Sequence, residues 1–168
     1  LRLQGQNLGS WNWGYDVCAS NGIASTDVYD DAANKALMAA IHCKPIEGLR
    51  AGFSYFNDYM PTNITGAHNG HTSINKAYTG AVNFQLICGS LAYFGKKLEF
   101  LYEGGYNITT TDSLGNAENQ SHFAVLGWKV KEKYVPYALF DYMDISKREL
   151  HSIPLNVVKV GLGFRMDF

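Results

Sequence analysis

The sequence predicts an all-β fold, an antiparallel transmembrane β-barrel with about eight or nine strands present, and three observations predict it. The first is strict alternation near residue 168. Val158, Val160, Leu162, Phe164, Met166 and Phe168 are apolar, while Lys159, Gly161, Gly163, Arg165 and Asp167 between them are charged or bare. Successive side chains of a strand point to opposite faces, so one face is hydrocarbon and the other is not. The second is a regular alternation of short and long connections. The third is the sorting of charge onto one face of the segments, with Trp and Tyr near the ends of the other. A soluble sheet avoids a long apolar edge, which invites aggregation. A membrane barrel is apolar toward lipid, polar toward its interior, and closed.

Nine strand-like segments follow from the pattern. The first covers 1–6. A turn at Asn7-Leu-Gly-Ser10 leads to the second, 11–21, where Trp11, Trp13, Tyr15, Val17 and Ala19 oppose Asn12, Asp16 and Ser20. A polar stretch, 22–34, precedes the third, 35–44, which sets Leu37, Ala39 and Ile41 against His42 and Lys44. Pro45-Ile-Glu-Gly48 has turn chemistry. It opens the fourth, 49–58, with Leu49, Ala51, Phe53 and Tyr55 against Arg50, Gly52 and Ser54. After a loop at 59–74, the fifth runs 75–88 and sets Tyr78, Val82, Phe84 and Leu86 against Thr79, Asn83 and Gln85. Residues 89–95 read as a turn, with Leu91-Ala-Tyr-Phe94 open to extending either neighbour. The sixth, 96–109, sets Leu98, Phe100, Tyr102 and Tyr106 against Lys97, Glu99 and Glu103. Residues 110–120 read as a polar loop. The seventh, 121–131, sets Ala124, Leu126, Trp128 and Val130 against Lys129 and Lys131, though Phe123 and Val125 blur it. The eighth, 137–145, sets Ala138, Phe140 and Tyr142 against Tyr137, Leu139 and Asp141. A loop at 146–155 precedes the ninth, 156–168.

Short turns therefore follow the odd segments and long loops the even ones, the asymmetry of outer-membrane barrels. Segments of roughly 9 to 13 residues suit tilted strands that cross a bilayer. An Arg or Lys on the lipid face at mid-bilayer costs about 2–4 kcal/mol, so charge sorted to the opposite face is what a barrel requires. Trp11, Trp13, Trp128, Tyr55 and Tyr106 near segment ends match interfacial girdles. A soluble β-sandwich would also alternate, but would not need those aromatics.

Composition narrows the classes further. Apolar residues make up 46% of the chain, yet no run of about 18 of them exists, so a transmembrane helix is excluded and a barrel is not. A net charge of -1 gives no electrostatic case for a nucleic-acid partner. The absence of a leader and of an initiator Met reads as a mature or truncated product of a larger precursor. Cys18, Cys43 and Cys88 form neither a metal pattern nor a disulfide framework, and read as small apolar residues.

Several stretches resemble a known family. Tyr15-Asp-Val-Cys-Ala-Ser-Asn-Gly22, Asp30-Asp31 with Asn34-Lys-Ala36, Lys44-Pro45 with Gly48-Leu49, Gly52 and Ser54, Pro136-Tyr-Ala138 and the terminal aromatic resemble bacterial porins of the phosphate-selective O and P type. The resemblance covers most of the chain through short motifs. It implies a barrel of about 16 to 18 strands, of which this chain would be the C-terminal part. It also implies a bacterial outer-membrane location, the lipid bilayer and lipopolysaccharide as surroundings, and a homo-trimer as the assembly common among porins. Phe164 and Phe168 resemble the C-terminal signal read by the outer-membrane assembly machinery. The chain departs from the family in its charges, because the expected lining mixes both signs and does not support phosphate specificity.

The expected function is thus a channel for passive diffusion of small polar solutes or ions. Its expected pore lining is Asp16, Lys44, Arg50, Lys97, Glu99, Glu103, Lys129, Lys131, Asp141, Lys159 and Arg165, with Arg2 and Asp167 on the same face. Gly14, Gly52, Gly105, Gly127, Gly161 and Gly163 on that face are expected to leave open space. The rival is a small closed barrel of eight strands from Ser10 to Phe168, filled by its own side chains, with an adhesion, anchoring or interaction role.

No enzyme, metal or cofactor is expected. His68 and His71 share a loop without a third ligand. Glu99 and Glu103 would stand about 13 Å apart along a strand, too far for the carboxylate pair of a retaining glycosidase, at about 5 Å. They are expected instead to pair with Lys97, Lys129 or Lys131. Ser54 and His42 face one side on neighbouring segments, but nothing marks a third catalytic partner. The sequons at Asn63, Asn107 and Asn119 read as polar sequence in a bacterial protein.

Overall fold

Segments rich in Val, Ile, Phe, Tyr and Leu, separated by Gly, Asn and Pro, favour a meander of antiparallel strands. The computed structural model describes residues 1–20, 35–60, 81–112, 115–131, 133–149 and 153–167. All regular structure among them is strand: β1 (Arg2–Leu8), β2 (Trp13–Ser20), β3 (Ala36–Cys43), β4 (Leu49–Met60), β5 (Val82–Phe94), β6 (Leu98–Thr111), β7 (Gly115–Trp128), β8 (Tyr134–Ile145) and β9 (Leu155–Met166). The nine form one antiparallel sheet in chain order, β1 through β9.

The short connections carry the expected turn chemistry. Gly48 holds a φ of +79°, and a Cβ there would fall 2.5 Å from the Phe94 carbonyl oxygen, so only glycine fits. The Phe94 amide in turn donates to the Gly48 carbonyl at 2.8 Å and ties this turn to the end of β5. Asn7, Gly9 and Asn12 take left-handed conformations around the first turn.

The sheet is not closed into a barrel. Each strand pairs with its chain neighbours alone, and no ladder joins β9 to β1 or β2. Direction explains this: in an antiparallel sheet of nine, the first and last strands run the same way. The rival arrangement of eight closed strands is not observed either, because β1 occupies the free edge of β2 through Arg2↔Cys18 and Leu3↔Val17.

Four segments differ from the sequence reading, the simplest being β8, which starts at Tyr134 and takes in Pro136 ahead of the expected 137. Residues 110–111 and 115–120 are strand and not loop: β6 and β7 pair out to Thr111↔Gly115, because β-branched Thr109, Thr110 and Thr111 continue the ladder past the apolar region. β7 ends at Trp128, so Lys129 and Lys131 stand in the connection to β8. β5 extends through 89–94 and its facing is the reverse of expectation. Ile87↔Tyr106, Leu91↔Tyr102 and Tyr93↔Phe100 fix its phase, which turns Val82, Phe84 and Leu86 to the opposite side. Residues 75–80, with Tyr78 and Thr79, lie outside the described residues, as do 22–34, 61–74 and Phe168.

The described chain has one sheet, not two stacked ones, and little conventional core. Val135 is its largest fully buried side chain. Many large apolar residues stand open instead, with Leu162 88% and Val160 74% exposed.

Candidate functional site

Because directly paired residues share a face, the register sorts every strand residue onto one of two sides. All four strand cations, Arg2, Arg50, Lys159 and Arg165, share one face. Asp16, Asp58, Glu99, Glu103 and Asp141 lie on that same side. The opposite face carries just two ionisable carboxylates among the described strands, Glu118 and Asp144, both toward the end of the sheet away from Trp13 and Trp128.

The apolar face forms a band with defined limits. Trp13, Tyr93, Trp128 and Tyr134 lie at its short-turn end, and Tyr134 stacks on Phe164 with ring centres 5.8 Å apart. Tyr55, Tyr106 and Tyr142 lie at its other end. Beyond them the same face turns polar, with Asn57 paired to Gln85 and Gln120 to Asp144. From Leu98 to Tyr106 the band runs roughly 26 Å along the strand at about 3.3 Å per residue. At a tilt of about 40° that projects to roughly 20 Å, close to the apolar height of about 25 Å that spans an outer membrane. His122 is the polar exception within the band. It is held between Tyr102 and Tyr142, and its Nδ1 shares a hydrogen bond with the Tyr102 hydroxyl at 2.9 Å.

The charged face is concave. A groove of about 660 Å³ is lined chiefly by its residues from β3 to β8, among them His42, Arg50, Ser54, Ser90, Glu103 and Asp141. Most charges on this face are neutralised locally. Arg2 pairs with Asp16. Lys159 faces Asp141 at a loose 3.9 Å. Glu99, nearly buried, takes Lys129 Nζ at 2.9 Å and Arg165 Nη2 at 2.9 Å. Arg165 Nε also donates to Asp167 at 2.7 Å. That hydrogen bond holds the Asp167 carboxyl below the usual carboxylate range.

Of the residues expected to line a pore, Asp16, Arg50, Glu99, Glu103, Asp141, Lys159 and Arg165 share the concave side. Lys44, Lys97, Lys129 and Lys131 sit in the short turns, Lys129 reaching back to Glu99. The expected pairing of Glu103 with a lysine is absent among the described residues. Glycines do not uniformly open space: the Tyr137 ring covers Gly163, and the His42 ring covers Gly14.

The sequence reading missed an apolar cluster on the concave side, where Phe56 meets Phe84 edge-on at 6.0 Å beside Leu86. It also missed Asn119, whose side-chain oxygen accepts from the Ser146 amide at 2.8 Å and whose nitrogen donates to Glu149. These bonds fold the start of the β8–β9 connection onto the concave side of β7. No cue in residues 110–120 flags that role, because their polarity reads as solvation.

Among the described residues no group of three or more His, Cys, Asp or Glu could hold a metal, and Cys18, Cys43 and Cys88 are free thiols. His68, His71 and His151 lie outside the described residues. In comparisons with known proteins, no family model and no curated protein matches the chain.

Proposed function

We propose that this chain forms part of the wall of a bacterial outer-membrane channel for passive diffusion of small polar solutes or ions, as its porin-like motifs imply. The observation that carries the reading is the apolar face: a band of membrane height, bounded by aromatic rows, with no Lys or Arg on any described strand. So much exposed hydrocarbon on a single sheet needs a cover. Lipid is the cover that also rewards aromatic rows at both margins.

Closure follows from strand direction. β1 and β9 run the same way, so an antiparallel barrel requires an odd number of further strands between them. A second copy in the same bilayer orientation offers edges of that same direction and cannot supply antiparallel joints. A larger barrel with other strands is therefore the proposed whole. The concave side would then border water, and its largely neutralised charges favour weak ion preference over a phosphate-selective ladder. The lipid bilayer and, at the long-loop end, lipopolysaccharide would surround the apolar band.

Single-channel recording of the intact protein in a planar bilayer tests the function. Discrete open-current steps are expected. Silence from correctly folded, inserted protein would overturn it.

A further inference from the structure

Two strand charges on the concave face stand apart from the rest. Arg2, Asp16, Glu99, Asp141, Lys159 and Arg165 each have an ionic partner, and Asp58 accepts the Tyr59 amide. Among the described residues the side chains of Arg50 and Glu103 have no hydrogen bond or ion pair, and both line the groove. Arg50 is on β4 opposite Ala92, and Glu103 is on β6 opposite Ser90, with β5 between them. At about 4.8 Å per strand and 3.3 Å per residue, their backbones are roughly 12 Å apart. The surface between is low and small: Gly52, Ser54, Cys88, Ser90 and Gly105 line the same groove.

Opposite charges left open across a shallow floor select by charge pattern. A simple anion drawn to Arg50 meets Glu103; a simple cation drawn to Glu103 meets Arg50. A molecule carrying both signs satisfies both residues at once. We infer that the groove recognises small zwitterions of the amino-acid class, with the carboxylate at Arg50 and the ammonium at Glu103. The inference rests on the channel reading and gives that channel a solute class.

The test uses the intact protein in planar bilayers, with alanine and its uncharged isomer lactamide as probes. Alanine should reduce the open-channel potassium chloride current saturably, and lactamide should reduce it only through viscosity. Arg50→Gln and Glu103→Gln should each weaken the alanine effect roughly tenfold, the loss expected for one charge-assisted contact. They should also shift the reversal potential in opposite directions, toward cation preference for Arg50→Gln and anion preference for Glu103→Gln. Arg50→Lys should keep the alanine effect. If the unmodified channel conducts but answers alanine and lactamide alike, the inference is overturned and the channel reading stands. That comparison needs no variant to fold. If folded, inserted protein does not conduct, the channel reading falls and takes the inference with it.

Discussion

Arg165 on β9 and Glu99 on β6 are joined by two hydrogen bonds, Nη2 to Oε1 at 3.1 Å and Nη2 to Oε2 at 2.9 Å, although β7 and β8 lie between their strands. Three strand spacings on a flat sheet are about 14 Å. The contact forms because the sheet curls toward this side and because Gly127 puts no side chain in the path. A Cβ at Gly127 would touch the Val135 methyl at 3.0 Å and the Glu99 carboxylate at 3.7 Å. Glu99 thus fastens three elements: its own strand, the turn bearing Lys129, and β9.

Glu99→Ala should destabilise the folded protein by about 1–3 kcal/mol, the cost of removing a nearly buried acceptor shared by two cations. Asp141→Asn, which loosens only the exposed 3.9 Å contact with Lys159, should cost no more than about 0.5 kcal/mol. Urea unfolding of the reconstituted protein compares them. Equal losses would contradict the assignment of Glu99 as the fastening point.

Asp167, beyond the end of β9, gives a pH dependence of known sign. Its pKa in the folded state is lowered by the hydrogen bond from Arg165. The contact therefore stabilises fully above the ordinary aspartate pKa of about 3.9, and that contribution is lost as pH falls below it through the lowered value. The carboxyl resonance of Asp167 followed by NMR should titrate below the ordinary value. In Arg165→Met it should return there. An ordinary midpoint in the unmodified protein would contradict the contact.

Gly161 and Gly163, two residues apart on one face, should respond oppositely to alanine. A Cβ at Gly163 runs into the Tyr137 ring, whereas one at Gly161 makes ordinary contact with Leu139 at 3.8 Å. Gly163→Ala should cost about 1–3 kcal/mol through overpacking. Gly161→Ala should be neutral or stabilise by up to about 1 kcal/mol, because it restricts the unfolded chain. Unfolding midpoints decide; matching losses at both positions would dismiss the role of Tyr137.

Asn119→Ala should release the start of the β8–β9 connection. Removing the acceptor at 2.8 Å exposes the Ser146 amide, whose hydrogen exchange should accelerate about five- to tenfold, as loss of roughly 1 kcal/mol of local protection implies. Amides in mid-β9, such as Val160, should keep their rates. Unchanged exchange at Ser146 would show that the contact does not hold the connection.

How much of this was legible in the sequence depends on where the pattern is strong. β9 reads directly, because its apolar and polar residues alternate without exception from Val158 to Met166. The nine-strand order and the charge-bearing face read for the same reason. β5 misled because Val82, Phe84 and Leu86 imitate an apolar face, while the residues that fix its phase, Leu91 and Tyr93, lay in a stretch read as a turn. The pairing of β6 with β7 beyond the apolar band carries no period, since both faces are polar there. The Glu99–Arg165 contact, 66 residues apart, and the Tyr137 ring over Gly163 depend on register and curvature, which local pattern does not encode. Spacing alone places Arg50 and Glu103 among the lining residues. That their side chains stand unpaired among the described residues emerges only from the register, which gives the neighbouring charges their partners.

Whether the apolar face borders lipid and the charged face water is read from the surroundings of each face in a bilayer. Nitroxide labels placed singly at Val158, Val160 and Leu162, and at Lys159, Ser54 and Ser121, would be read by electron paramagnetic resonance against oxygen, which concentrates in lipid, and a nickel chelate, which stays in water. High oxygen and low nickel collision are expected at 158, 160 and 162, and the reverse at 159, 54 and 121. Free access of the nickel chelate to 158, 160 and 162 in the folded, membrane-reconstituted protein would contradict a lipid-facing apolar side.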